Sequence, residues 1–230
     1  MGNTPVGSTN SAALDFQLPM TFTYVASVLW AMSGALTAAR RGYDIAGLIM
    51  LAIICSIGGG LIRDGIFINN GPPQATKDAW PVLLAVGVAG IVWIAGKQIM
   101  RIKQLDFTVD VIDAIGSAAY GLVGLQLCLA AGLSLPASVF VGVINGVGGG
   151  VIRDIMVNQE VTILKPGALS AIAVLIGLLT FLPLFFWLHM PAPIAGWISI
   201  GVGFATRGIS LIFGIRTKPA FSDATRAGSG

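Results

Sequence analysis

Charge is what this sequence has least of. Across 230 residues only 10% are Asp, Glu, Lys or Arg, against 55% hydrophobic side chains, and the mean hydropathy is +0.87. A soluble domain carries about a quarter charged residues, so this composition cannot clothe a water-facing surface, and the chain reads as an integral membrane protein. Histidine and cysteine are also scarce. His189 stands alone, in a His-Met-Pro turn, and the two cysteines, Cys55 and Cys128, fall inside apolar runs. Thiols in that setting pack as small hydrophobes, so no disulfide framework or thiol chemistry is implied. No His, Cys or carboxylate cluster has metal-ligand spacing. The Gly-rich phosphate loop ending in Lys-Ser/Thr and the nucleophile-elbow serine are both missing. These absences predict neither an enzyme nor a cofactor. The formal charge of +3 reads as basic loops held on the cytoplasmic side, not as nucleic-acid binding.

Glycine is the residue in excess, with 31 copies, many of them inside apolar runs. A spanning helix needs about 20 mostly apolar residues, and seven candidates are present: 20–39, 45–69, 80–96, 107–131, 135–158, 167–189 and 193–215. Residues 1–18 are polar and contain no Lys or Arg, and residues 216–230 read as a tail. Arg40 and Arg41, then Lys97, Arg101 and Lys103, then Lys165, and finally Arg216, Lys218 and Arg226 follow spans 1, 3, 5 and 7, whereas the opposite side has only Lys77. The positive-inside rule therefore predicts an external N-terminus and a cytoplasmic C-terminus. Trp30, Trp80, Trp93, Trp187 and Trp197 fall mostly near span ends and read as interfacial belt anchors.

An internal repeat is the strongest signal. Gly58-Gly59-Gly60-Leu61-Ile62-Arg63-Asp64 recurs as Gly148-Gly149-Gly150-Val151-Ile152-Arg153-Asp154, 90 residues later, and Gly34 meets Gly124 at the same offset. Each unit holds three spans, so the second copy enters the membrane in the opposite sense. The predicted fold is all-α: a 3+3 inverted repeat over residues 19–104 and 105–190, plus a seventh helix over 191–215. Three consecutive glycines cost roughly 1 kcal/mol each relative to Ala in a helix, so spans 2 and 5 are expected to break or kink there. Paired breaks in inverted repeats point to a solute or ion site.

Both triplets fall near the midplane, which sets Arg63-Asp64 and Arg153-Asp154 on opposite sides of it. Charges inside a membrane are costly and face a bundle interior or a cavity. Because adjacent residues on a helix do not face each other, each Arg is expected to find its partner elsewhere. Asp113, deep in span 4, either lines the pathway or pairs with an Arg. Asp110 lies within a turn of the span end and reads as a first-turn carboxylate favoured by the helix dipole. Arg207, in span 7, either snorkels in part or takes an internal partner.

The stretch Ser33-Gly34-Ala35-Leu36-Thr37-Ala38-Ala39-Arg40-Arg41-Gly42-Tyr43-Asp44-Ile45-Ala46-Gly47, both Gly-Gly-Gly-x-Ile-Arg-Asp motifs, Asp113-Ala114-Ile115-Gly116-Ser117-Ala118-Ala119-Tyr120 and Arg207 together resemble prokaryotic trimeric intracellular cation (TRIC) channels. A bacterial membrane family labelled as glycine transporters shares these motifs. The resemblance implies a homotrimer in the cell membrane, in contact with its lipid, with a pore inside each protomer conducting mainly K⁺ and also Na⁺. It implies kinks at Gly58, Gly59, Gly60, Gly148, Gly149 and Gly150 in the pore-lining spans 2 and 5. Arg63, Asp64, Asp113, Arg153, Asp154 and Arg207 lie in or near that pathway by the same resemblance. The lysine-bearing lipid-binding motif of animal members is replaced by Gly-Gly-Gly-Leu-Ile-Arg-Asp. The residues themselves do not choose the transported charge, and a secondary transporter of a small neutral solute such as glycine also suits an inverted repeat.

Overall fold

A computed structural model describes residues 18–69, 71–99, 101, 103–164 and 169–213. The polar segment up to residue 17, Lys165 and the basic tail with Arg216, Lys218 and Arg226 lie outside the described residues. Every expected span carries a helix: α1 (Met20–Arg40), α2 (Ile45–Ile62), α3 (Trp80–Ile94), α4 (Leu105–Ala130), α5 (Leu135–Met156), α6 (Ser170–Phe186) and α7 (Ala192–Phe213). Among the described residues there is no strand. Helix α2 runs directly into a π-helical turn, Arg63–Ile68. With that extension α2, and likewise α1, α4, α5 and α7, is long and apolar enough to cross a membrane, whereas α3 and α6 are apolar but shorter, at 15 and 17 residues.

The duplication is written into the helix ends. Helix α1 closes on Gly42 (φ +70°), with Tyr43 N donating to Ala38 O and Gly42 N to Ala39 O. Helix α4 closes in the same way on Gly132 (φ +85°), with Leu133 N donating to Cys128 O and Gly132 N to Leu129 O. Both are Schellman caps, which need the left-handed backbone that glycine adopts without a Cβ penalty. Helices α2 and α5 then start 90 residues apart, after Asp44 and Ser134, and the Asp44 carboxylate accepts from Gly47 N at 2.8 Å. Their C-terminal ends are again matched by left-handed asparagines, Asn69 and Asn158.

Helices α1, α2 and α3 pack on one another, as do α4, α5 and α6, and the two groups meet through α1 against α4 and α2 against α5. Both cross-contacts are antiparallel. Leu18 N donates to Gln126 while a Cβ at Gly116 would touch Trp30; likewise Gly59 lies against Asn145 and Gly149 against Cys55. As one chain advances its partner recedes, which is the relation that an inverted repeat requires. Helix α7 packs on α4 and α6. Phe22, Leu122, Leu125, Leu178 and Phe181 fill the interior, while Ile94, Trp187, Ile212 and Phe213 stand exposed on an outer surface that is apolar as well. In lipid such a bundle has no hydrophobic drive between helices and relies on close packing of small residues.

The expected break at the glycines is not found. Gly58–Gly60 lie inside α2 and Gly148–Gly150 inside α5, both continuously helical. The cost of three helical glycines is offset by the tertiary contacts made on them. Irregularity appears one turn later, in the π-helical turn that begins at Arg63.

Candidate functional site

The two glycine triplets cross each other at the centre of the bundle. A Cβ at Gly59 would collide with the backbone oxygen of Asn145, and one at Gly149 would come within 2.5 Å of the backbone oxygen of Cys55. Cys55 and Asn145 are themselves 90 residues apart, so one contact is made twice. At Gly148 an added Cβ would sit 3.0 Å from Gly59 Cα. These glycines bring backbone against backbone, an approach that any side chain would block.

Gly60 and Gly150 flank the crossing and open into cavities on either side. The first cavity, of about 600 Å³, reaches Gly60 and is lined by Thr23, Tyr24, Arg63, Asp64, Lys77, Asp78 and Tyr120. The second reaches Gly150. It is a tight space of about 30 Å³ lined by Trp30, Asp110, Asp113, Arg153, Asp154 and Arg207. It shares Asp110, Arg153 and Thr162 with a wider cavity of about 200 Å³ that also touches Arg40, Arg41 and Asp106. Tyr120 and Trp30, again 90 residues apart, stand at the two inner ends. Trp30 is 2% exposed and lies at the middle of α1, so it forms part of the waist and the belt-anchor reading fails for it. Trp80, Trp93, Trp187 and Trp197 are exposed.

Each cavity ends on an Arg-Asp pair; a partner on another span is found for Arg153, which also binds Asp113, but the adjacent pairing that the sequence argued against is formed in both halves. Arg63 Nε donates to Asp64 Oδ1 at 2.7 Å, and Arg153 Nε and Nη2 donate to Asp154 Oδ1 at 2.9 and 2.8 Å. The rule that neighbours on a helix diverge holds for their Cβ directions. An arginine stem is long enough to swing back, and with water excluded the nearest carboxylate is the strongest partner available. Arg63, Asp64, Arg153 and Asp154 are all buried. The second carboxylate oxygen of each acid holds the following loop: Asp64 Oδ2 accepts from Gln74 N at 2.8 Å, and Asp154 Oδ2 from Thr162 N at 2.7 Å.

The two pairs differ in what surrounds them. Arg153 Nη1 also donates to Asp113 Oδ2 at 2.7 Å and to Ser33 Oγ. Asp113 therefore does both things open to it: it binds an Arg and it lines a cavity. Arg63 Nη1 reaches only Asn145 Oδ1, at 3.4 Å. Asn145 Nδ2 donates to the Tyr120 carbonyl at 2.5 Å, and the Tyr120 hydroxyl donates to Ser56 O at 2.7 Å, tying α4 to both crossing helices. Arg207 is 6% exposed and shares the second cavity with Asp110 and Asp113, so it points inward instead of snorkelling. Among the described residues it makes no ion pair within 4 Å. Asp110 is half-buried and lines both spaces on that side. Asn145, Tyr120 and Ser33 carry contacts that motif reading passed over. At the 90-residue offset Asn145 is the equivalent of Cys55, and Tyr120 that of Trp30.

Comparison with known proteins follows the same architecture. A family model described as "Glycine transporter" matches residues 20–97 and 110–185. A UPF0126 membrane protein of Deinococcus radiodurans is 32% identical over 130 residues, 56% of this chain and 59% of its own. The UPF0126 inner membrane protein YadS of Escherichia coli (strain K12) is 28% identical over 178 residues, 77% of this chain and 84% of its own. Among solved structures, the TRIC trimeric intracellular cation channel orthologue from Rhodobacter sphaeroides superimposes with a TM-score of 0.77 at 25% identity, covering 85% of this chain and 98% of that one. A prokaryotic TRIC channel crystallised in 0.5 M KCl gives 0.75 at 28% identity, over 84% and 95%. The trimeric intracellular cation channel from C. elegans, 16% identical with a TM-score of 0.55 over 88% and 95%, shares the fold.

Proposed function

We infer that this chain, which belongs to the Glycine transporter family and carries the fold of prokaryotic TRIC channels, is a cation channel of the cell membrane. One observation carries the reading: two polar cavities approach each other from opposite sides of a glycine crossing, and each ends on a buried Arg-Asp pair. A permeant ion crosses such a waist only if α2 and α5 shift; at Gly59 and Gly149 they meet through backbone, and the side chains that reach across beside them, Ile152 over Gly58 and Ile62 over Gly148, end in movable methyl groups. The crossing is therefore the gate in this reading, with the Arg-Asp pairs beside it.

The charge lining the tight space at Gly150 favours cations, while Arg40 and Arg41 against Asp106 offset it in the wider cavity beyond. Asp110, Asp113 and Asp154 stand in the tight space against Arg153 and Arg207, an excess of one negative charge in a setting where water is scarce and charges are weakly screened. The finer parts of the reading are K⁺ as the main permeant ion with Na⁺ also passing, a separate pore in each protomer of a homotrimer, seven spans, and an external N-terminus. The solved relatives' names, trimeric intracellular cation channels, support a cation and a trimer, the seven apolar helices support the span count, and the loop charges support the orientation; the ion preference and the pore per protomer rest on the family resemblance. Electrical recording tests the reading. Purified protein in a planar bilayer under a KCl gradient is expected to give unitary currents reversing near the K⁺ equilibrium potential. Reversal near the Cl⁻ potential, or saturable glycine uptake without unitary currents, overturns it and favours a transporter.

A further inference from the structure

We propose that the first cavity holds a small carboxylate on Arg63, in the place that the side chain of Asp113 takes on Arg153. The inference comes from comparing the two halves residue by residue at their 90-residue offset. Arg153 has all three guanidinium nitrogens engaged: Nε and Nη2 on Asp154, and Nη1 on Asp113 and Ser33. Arg63 spends Nε on Asp64 and reaches Asn145 with Nη1 at 3.4 Å, and no bond is made by Nη2 among the described residues. The position equivalent to Asp113 is Thr23, and the position equivalent to Ser33 is Val123, so this half supplies neither the acid nor the hydroxyl. Thr23, Val123 and Arg63 all line the 600 Å³ cavity, which has room for an anion with a short substituent.

The acids already in that cavity do not fill the role. Asp64 has both oxygens taken, by Arg63 and Gln74 N, and Asp78 has both taken, by Trp80 N and Tyr24 OH. The cationic donors left facing the space are Arg63 and the exposed Lys77, beside the neutral Thr23, Gln74 and Gln126. Arg63 is 3% exposed, which strengthens its attraction for a carboxylate of matching planar geometry. A carboxylate bound there gives the first cavity the negative charge that Asp113 gives the second. Binding is independent of conduction, so a chain that conducts K⁺ without binding a carboxylate overturns this inference alone, and one that binds without conducting overturns the channel reading alone.

Titration of the full chain in detergent with ¹³C-formate, followed by ligand-observed NMR, tests it. The expected result is saturation at one formate per chain, with acetate and glycine competing. Chloride competing as strongly as acetate would identify any small monoanion as the ligand and refute carboxylate recognition. Thr23→Asp supplies the acid internally and is expected to weaken formate binding about tenfold or more, about 1.4 kcal/mol or more. Asp113→Thr makes the reverse exchange and is expected to add a second formate site, at Arg153. No saturable binding by the wild-type chain, or unchanged binding by Thr23→Asp, overturns the proposal. If Thr23→Asp does not fold, Asp113→Thr decides: one site still present refutes it, and two support it.

Discussion

Replacing Gly149 with alanine would place a Cβ 2.5 Å from the Cys55 carbonyl oxygen and 3.3 Å from the Trp30 ring. The closest comfortable C···O approach is about 3.3 Å, so α2 and α5 must separate by roughly 0.8 Å, and the obstacle is backbone, which cannot rotate away. Overpacking of this kind costs about 1–3 kcal/mol. Replacing a helical Gly by Ala returns about 1 kcal/mol, leaving a net loss of up to about 2 kcal/mol. Gly59→Ala meets the Asn145 carbonyl in the same way and should lose as much. Gly58→Ala meets only Ile152 Cδ1, at 2.8 Å, and Gly87→Ala meets nothing within 4 Å. The first should be close to neutral because a methyl end can move, and the second neutral or stabilising. In a thermal melt of the detergent-solubilised protein, 1 kcal/mol corresponds to about 2–4 °C for a chain of this size, so the order Gly87→Ala, Gly58→Ala, then Gly59→Ala and Gly149→Ala is resolvable. If the glycines served instead as backbone hinges, alanine at all positions of a triplet would act alike. Equal melting temperatures for Gly58→Ala and Gly149→Ala refute the close-approach argument.

Further outcomes follow from the pairs around the crossing. Asp113→Asn removes one negative charge from the second cavity. At about 10 Å and an effective dielectric between about 20 and 80 this is roughly 0.4–1.7 kcal/mol, lost by a cation and gained by an anion, so the cation-to-anion permeability ratio read from reversal potentials should fall roughly four- to three-hundred-fold. Tyr120→Phe deletes the 2.7 Å bond to Ser56 O and should cost about 0.5–1.5 kcal/mol in the same melt. Asp154→Asn breaks the more heavily used pair, since Asp154 binds two nitrogens of Arg153 as well as Gln159 and Thr162 N. Losing one partner of a buried pair costs about 3–5 kcal/mol where the other charge is left uncompensated; Asp113 still holds Arg153 in Asp154→Asn, whereas Asp64→Asn leaves Arg63 with only Asn145 at 3.4 Å, so Asp64→Asn should lower stability more.

Much of this architecture is legible before any coordinates. The number and order of the long helices, the duplication and the sites of buried charge can all be read from apolar run lengths and from one seven-residue motif. These features are local or periodic along the chain. Lipid enforces them strongly, because a backbone in hydrocarbon must bond to itself and a charge there must find a partner. The Schellman caps at Gly42 and Gly132 were open to the same reading, since their offset matches that of the motif.

Other features were settled only when helices met. The sequence price of Gly-Gly-Gly argued for a break, and packing overrode it, because the absence of six Cβ atoms is what lets α2 and α5 touch through their backbones. Adjacent Arg and Asp were expected to diverge, yet they pair, because exclusion of water made the nearest carboxylate worth the bent stem. Trp30 reads with the other tryptophans as a belt anchor, yet it stands at mid-span and belongs to the waist by the crossing that its ring abuts. Read alone, the sequence specifies an all-helical membrane protein that carries one motif twice and holds charge inside its apolar runs. Only tertiary structure decided that the two halves are unlike where it matters, with Asp113 on Arg153 and Thr23 beside the cavity of Arg63. Such a contact joins residues tens of positions apart, and neither hydropathy nor spacing along one chain records which side chains two crossing helices bring together.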